Sequence, residues 1–163
     1  MKHTGLFSRS FITACASVAL GSGLVGCATE GVSEGLQNTH GKQVADADVM
    51  VTFSRGEIRL TCGFSCAGIA GSNKRAMKNL HYDQSWVDLA RLVMKVGFSE
   101  DLSYYYLGRS AEGEGYIKAA KIYYQLALKN GYKCDSFINN CTGFAFPKDI
   151  QERLDRISSN NLK

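Results

Sequence analysis

The stretch "DLSYYYLGRSAEGEGYIKAAKIYYQLAL", Asp101 to Leu128, decides the fold. Ser99 stands where a cap is wanted, and Glu100 and Asp101 follow in a first turn, where carboxylates meet the positive end of a helix dipole. These signals predict one helix over "EDLSYYYLGRSAE". Gly113 and Gly115 break it, and "YIKAAKIYYQLALKN" makes a second, closed by Gly131. Helix, short glycine turn, helix is an αα-hairpin.

The same pattern extends to both sides. Upstream, "DQSWVDLARLVMKVG" places Trp86, Leu89, Ala90, Val93 and Val96 on one apolar stripe, and Gly97 suits a C′ position. Trp86 lies on that stripe and is expected in the core. A weaker helix, loosened by Gly68 and Gly71, is predicted from Ala67 to about Leu80. Downstream of a cysteine-bounded loop, Pro147 suits a first helical turn and opens "PKDIQERLDRI", with Ile150, Leu154 and Ile157 on one face. Asp46 to Leu60 is ambiguous. Val49, Val51 and Phe53 alternate as in a strand, while Gly56 could close a short helix. The helical reading is preferred because everything downstream is helical.

Leu107-Gly108, Ala111, Gly115, Ala120, Tyr124 and Ala127 resemble the tetratricopeptide repeat pattern, with Tyr104 in its tryptophan slot. Gly108 and Ala120 would let the two helices of one hairpin approach closely, and Ala127 the next helix, while Tyr104, Leu107 and Tyr124 fill the space around them. A shift of about 34 residues puts Trp86, Ala90 and Val93 at the places of Ala120, Tyr124 and Ala127. Asn73 and Lys74 replace Leu107 and Gly108, so the first half of that earlier repeat is degenerate. The phrases "YYLG" and "A…YY..A" also resemble the Sel1-like branch, and the segment with its cysteine pair and "GFAFP" resembles a group of proteobacterial repeat lipoproteins. The expected fold is all-α: antiparallel tetratricopeptide-like hairpins with a C-terminal capping helix.

The N-terminus predicts a destination. Lys2 and Arg9 precede the uncharged run "FITACASVALGSGLV", a basic region followed by an apolar one, as in a secretory signal. Leu24-Val25-Gly26-Cys27 resembles the lipobox of bacterial lipoproteins. The resemblance implies cleavage before Cys27 and acylation of that residue, a chemistry that anchors stably with more than one chain. An ordinary secreted protein with Cys27 in a disulfide is the competing reading. Ala28, where an aspartate would resemble an inner-membrane retention signal, points to the periplasmic face of an outer membrane. The expected organisation is a signal over 1–26, a lipidated N-terminus and flexible tether over 27–45, a short C-x-x-x-C segment over 46–66, and the helical domain over 67–163. His40 falls in the tether and is expected to be solvated.

Cysteine usage agrees with export. Cys15 goes with the signal and Cys27 with the lipid, leaving Cys62, Cys66, Cys134 and Cys141 to pair in an oxidising compartment. The spacings favour two local bridges, Cys62 with Cys66 and Cys134 with Cys141. Cross-pairing is the main competitor and a zinc site the third reading, although C-x-x-x-C with C-x6-C is not the usual ligand spacing. The chain carries 19 basic and 15 acidic residues, and without Lys2 and Arg9 the balance is close to neutral, so no nucleic-acid partner is expected.

No catalytic constellation is visible. His3 lies in the signal and His40 in the tether, so His81 alone could serve a folded site. No H-E-x-x-H, G-x-S-x-G or phosphate-loop motif is present, and neither an enzyme, a metal nor a cofactor is expected. The first helix of each tetratricopeptide hairpin lines the concave face, so the resemblance places Leu102, Tyr105, Arg109 and Glu112 there as partner-binding residues. Tyrosine and arginine are favoured interface anchors. The expected function is a lipid-anchored module that binds another envelope protein or peptide, as an adaptor, pilotin or assembly factor. A structural lipoprotein that binds peptidoglycan is the alternative, and an acidic or aromatic sugar-binding groove would favour it.

Overall fold

The computed structural model describes residues 36–136 and 140–159. Residues 1–35, which hold the expected signal, Cys15, Cys27 and the start of the expected tether, lie outside the described residues. The elements run β1 (Leu36–Gln37), a 3₁₀ turn (Asp46–Asp48), α1 (Val49–Ser54), β2 (Arg59–Leu60), a second 3₁₀ turn (Phe64–Cys66), α2 (Ala67–Tyr82), α3 (Trp86–Val96), α4 (Asp101–Gly113), α5 (Ile117–Lys129) and α6 (Lys148–Ser159). The described residues are thus mostly helical. Helices pack on their sequence neighbours, α2 on α3, α3 on α4 and α5 on α6, and the broadest contact is α4 with α5.

Each helix end has a physical cause. Gly97 closes α3 in the left-handed conformation at φ 68°, as its C′ position predicts. Glu100, and not Ser99, occupies the cap position of α4, and no side chain caps it. Ser99 instead ties neighbouring segments together, its N–H donating to the Cys62 carbonyl at 2.8 Å and its hydroxyl accepting from Asn130 Nδ2 at 3.1 Å. Asn130, not Gly131, caps α5, and Lys133 Nζ donates to the terminal carbonyls of Ala127 and Leu128 at 3.3 and 3.1 Å. Pro147 lies just before α6, behind a cis Phe146–Pro147 peptide.

α4 is the centre of the molecule. Asp101 through Gly108 are all buried, as are Ser110 and Ala111. The tyrosines of "YYY" diverge as a helix requires. Tyr104 Oη accepts from the Leu60 N–H at 3.0 Å, Tyr106 Oη bonds Thr142 Oγ1 at 2.8 Å, and Tyr105 packs on Phe144 and Phe146 with ring centroids 4.7 and 5.0 Å away. Two close approaches need glycine. A Cβ on Gly108 would stand 2.5 Å from the Tyr124 ring, and one on Gly113 would overlap the Trp86 indole. Trp86 is half-buried against the core rather than enclosed in it.

The N-terminal segments depart from expectation. Residues 36–45, expected as free tether, fold onto the domain. Leu36 is buried and pairs antiparallel with Leu60, Val44 is buried, and Asn38 Oδ1 accepts the N–H groups of His40 and Lys42 to close the turn between them. His40 itself is exposed. Residues 46–60 are helical only in part, because the chain leaves α1 for β2. They nevertheless belong to the same core. Phe53 is buried and stacks on Tyr123 at 5.6 Å, and Tyr123 Oη donates to the Phe53 carbonyl at 2.9 Å. A two-stranded ribbon therefore accompanies the helices. It is too short to stand alone and is held by the burial of Leu36 and Leu60.

Candidate functional site

The four residues expected on a concave binding face are not free. Leu102 is 1% exposed and Tyr105 is 2% exposed. α3 and α5 pack on α4, and the phenyl rings of Phe144 and Phe146 cover Tyr105. An outward position in an isolated hairpin has become interior. Arg109 and Glu112 are also shielded, with side chains 12% and 17% exposed, and they join a polar network.

That network is built from five helices, α2 to α6. Arg109 Nη1 meets Glu112 Oε2 at 2.9 Å, Tyr124 Oη donates to the same oxygen at 2.6 Å, and Arg153 Nη1 reaches Glu112 Oε1 at 3.4 Å. The Arg109 guanidinium lies over the Trp86 indole at 5.2 Å, where the ring face favours a cation. Arg109 Nε donates to His81 Nε2 at 3.3 Å, which leaves the ring proton on Nδ1. His81 Nδ1 is buried without a hydrogen-bond partner among the described residues. The imidazole is boxed by Tyr82, Trp86, Tyr106 and Phe144, with centroids between 5.4 and 5.8 Å away. Burial, reinforced by the charges of Arg109 and Arg153, lowers its pKa to about 4, so His81 is neutral at physiological pH. Burial raises the Tyr124 hydroxyl too, and the Glu112 carboxylate pushes it further. The Glu112 carboxylate thus joins α4, α5 and α6, and the Arg109 guanidinium extends the network to His81 of α2 and Trp86 of α3.

The disulfides are the two local ones, Cys62–Cys66 and Cys134–Cys141. They use all four cysteines, which excludes both cross-pairing and a zinc site made of their thiolates. No group of three or more His, Cys, Asp or Glu among the described residues could hold a metal ion. No described helix is long and apolar enough to cross a membrane.

The two cystine segments stand on either side of a groove of about 480 Å³. Phe64, Phe98 and Tyr132 supply its aromatic walls, and Lys74, Glu100 and Asn140 its polar groups. Hydrogen bonds hold these walls in place. The Cys62 N–H donates to the Gly97 carbonyl at 3.2 Å, and the Asp101 N–H donates to the Tyr132 carbonyl at 3.0 Å. Asp101 Oδ1 accepts the Cys134 N–H at 2.9 Å, tying the second cystine to the start of α4. Lys74 Nζ bridges Glu100 Oε2 at 3.4 Å and the Asn140 carbonyl at 3.2 Å. Burial pushes the Glu100 carboxyl above its ordinary range, and Lys74 opposes that shift. Phe64 is 72% exposed and Tyr132 is 50% exposed.

A second hollow of about 640 Å³ lies at the start of α5, lined by Tyr116, Lys118, Lys121 and Ile157 among others. It has no buried polar group at its floor. The first groove is therefore the candidate site. The sequence pointed to Cys134 at its edge and to the neighbouring Cys62–Cys66 segment, but not to its aromatic walls or its ion pair. The available signal was weak: Phe64 between Cys62 and Cys66, and Tyr132 just before Cys134. Comparison with known proteins finds no family model, no curated protein and no solved structure that matches this chain.

Proposed function

We propose that this chain is an exported, lipid-anchored protein-binding domain that holds a polypeptide segment in the groove between its two cystines. The observation that carries the reading is the groove itself, with half a dozen polar and aromatic groups converging between two covalently braced segments. A braced site loses little freedom on binding, which favours recognition of a flexible segment. In this reading α2–α3 and α4–α5 are tetratricopeptide-like hairpins and α6 caps them, an arrangement suggested by neighbour-on-neighbour packing and by the close approach at Gly108. Acylated Cys27 anchors the domain at the periplasmic face of an outer membrane. Leu36 stands nine positions after Cys27, an extended reach of about 30 Å, so the groove works close to the bilayer.

Site-specific photocrosslinking tests this. A photoreactive residue at Tyr132 or Phe64 should capture one discrete envelope partner, and the same residue at Lys118 should not. Equal capture from both places, or none from the groove, refutes the reading. Cys27→Ser should abolish acyl labelling and release the protein from the membrane fraction, and retained label would refute the anchor. One observation favours the second reading, a peptidoglycan binder: the groove has aromatic walls in Phe64, Phe98 and Tyr132. Cosedimentation with purified sacculi, abolished by Tyr132→Ala, would support it.

A further inference from the structure

We infer that the occupant of this groove is an extended, acidic polypeptide segment that continues along one edge of α2; this rests on the groove being the binding site. Charge complementarity selects this occupant. α2 carries Lys74, Arg75 and Lys78 and no carboxylate. Ala67, Gly71 and Lys74 line the groove. Residues four apart share a helix face, so Arg75 continues the row of Ala67 and Gly71, and Lys78 and Tyr82 continue the row of Lys74. The last step is visible directly, with Lys78 Nζ 5.7 Å from the centroid of the Tyr82 ring. A stripe thus leaves the groove with an exposed aromatic at each end, Phe64 and Tyr82, and cations between them.

The cations differ in availability. Lys74 is bound to Glu100, and Lys133 donates to the end of α5. Among the described residues no carboxylate forms an ion pair with Arg75 or Lys78. Glu100 is the one carboxylate lining the groove among the described residues, and Lys74 already holds it. The residues of the stripe therefore carry net positive charge, although the mature chain is nearly balanced. Ala67 to Tyr82 spans about 22 Å at 1.5 Å per residue. An extended strand covers that distance in about seven residues. The predicted ligand is seven or eight residues long, with an aromatic or aliphatic side chain for the space between Phe64 and Tyr132 and two or more Asp or Glu residues beyond it. The open helix surface leaves room, since a Cβ on Gly68 or Gly71 would meet nothing within 4 Å.

The probe is a phage-displayed random octapeptide library, selected on the mature chain with its disulfides intact. Enrichment of peptides bearing several carboxylates around one apolar residue is expected. A synthetic peptide of the selected sequence should then lose tenfold or more in affinity for the Arg75→Glu/Lys78→Glu double variant and for Tyr132→Ala. Its binding should also weaken as salt rises. Arg75 is exposed, and Lys78 is partly exposed with its ammonium over the exposed Tyr82 ring, so unchanged circular dichroism is expected for the double variant. Enrichment of neutral or basic peptides that still need Tyr132 would overturn the acidic occupant while leaving the groove reading intact. Failure to select any peptide that depends on Tyr132 would overturn both. Binding to phosphatidylglycerol vesicles, lost in the double variant, with no peptide selected would assign the stripe to a lipid surface and overturn the proposal.

Discussion

Acid should destabilise this domain through His81 in particular. The imidazole is held at about 4 by burial and by two arginines, while an unfolded chain would hold it near 6.5. Between those values the unfolded state binds the proton and the folded state refuses it. The neutral-His81 contribution is therefore complete above pH 6.5 and is lost as pH falls toward 4. Two and a half pKa units of separation give about 2 kcal/mol at pH 5 and about 3 kcal/mol at pH 4. Glu100 and Asp101 work the other way, because burial raises both and their protonation favours the fold. The raw stability profile mixes these opposing groups, so a difference is needed. His81→Gln keeps an acceptor for Arg109 and cannot take a proton. Urea unfolding, read by the fluorescence of the single tryptophan Trp86 beside His81, should be run on both proteins from pH 7.5 to 4.5. The stability gap should shift in favour of the variant by about 2.5 kcal/mol over that range. A gap that stays constant would mean that His81 is not held neutral, and the reasoning fails.

Gly108→Ala should destabilise by about 1–3 kcal/mol, because the new methyl meets the Tyr124 ring, whereas Gly71→Ala, with nothing nearby, should gain up to about 1 kcal/mol; thermal melts compare them. Glu112→Gln leaves Arg109 and Arg153 without their shared anion and should cost about 1–3 kcal/mol, with the loss reduced at high salt in chemical denaturation. The double change Cys134→Ser and Cys141→Ser opens a loop of eight residues and should cost about 2.5 kcal/mol, while peptide mapping of the native chain should find no link between Cys62 or Cys66 and either of them.

The sequence by itself determined the helices and the cystines. Trp86 to Val96 and Lys148 to Ser159 each show one apolar stripe, and Gly97 marks an end by a backbone conformation that glycine adopts without cost. The bridges were legible because each joins residues a turn or a short loop apart. Only the tertiary structure decided which side chains are free. Periodicity reports a helix with one buried face, and α4 is covered on nearly every side, so Leu102 and Tyr105 read as surface and are interior. The same holds for residues 36–45, whose polar composition hid Leu36 and Val44; two buried side chains and a two-residue ribbon are set by partners distant in sequence, not by local propensity. The groove is the strongest case. Its walls come from Phe64, Phe98 and Tyr132, and Lys74 meets Glu100 across 26 positions of chain, a contact created by the packing of α2 beside α3 and α4.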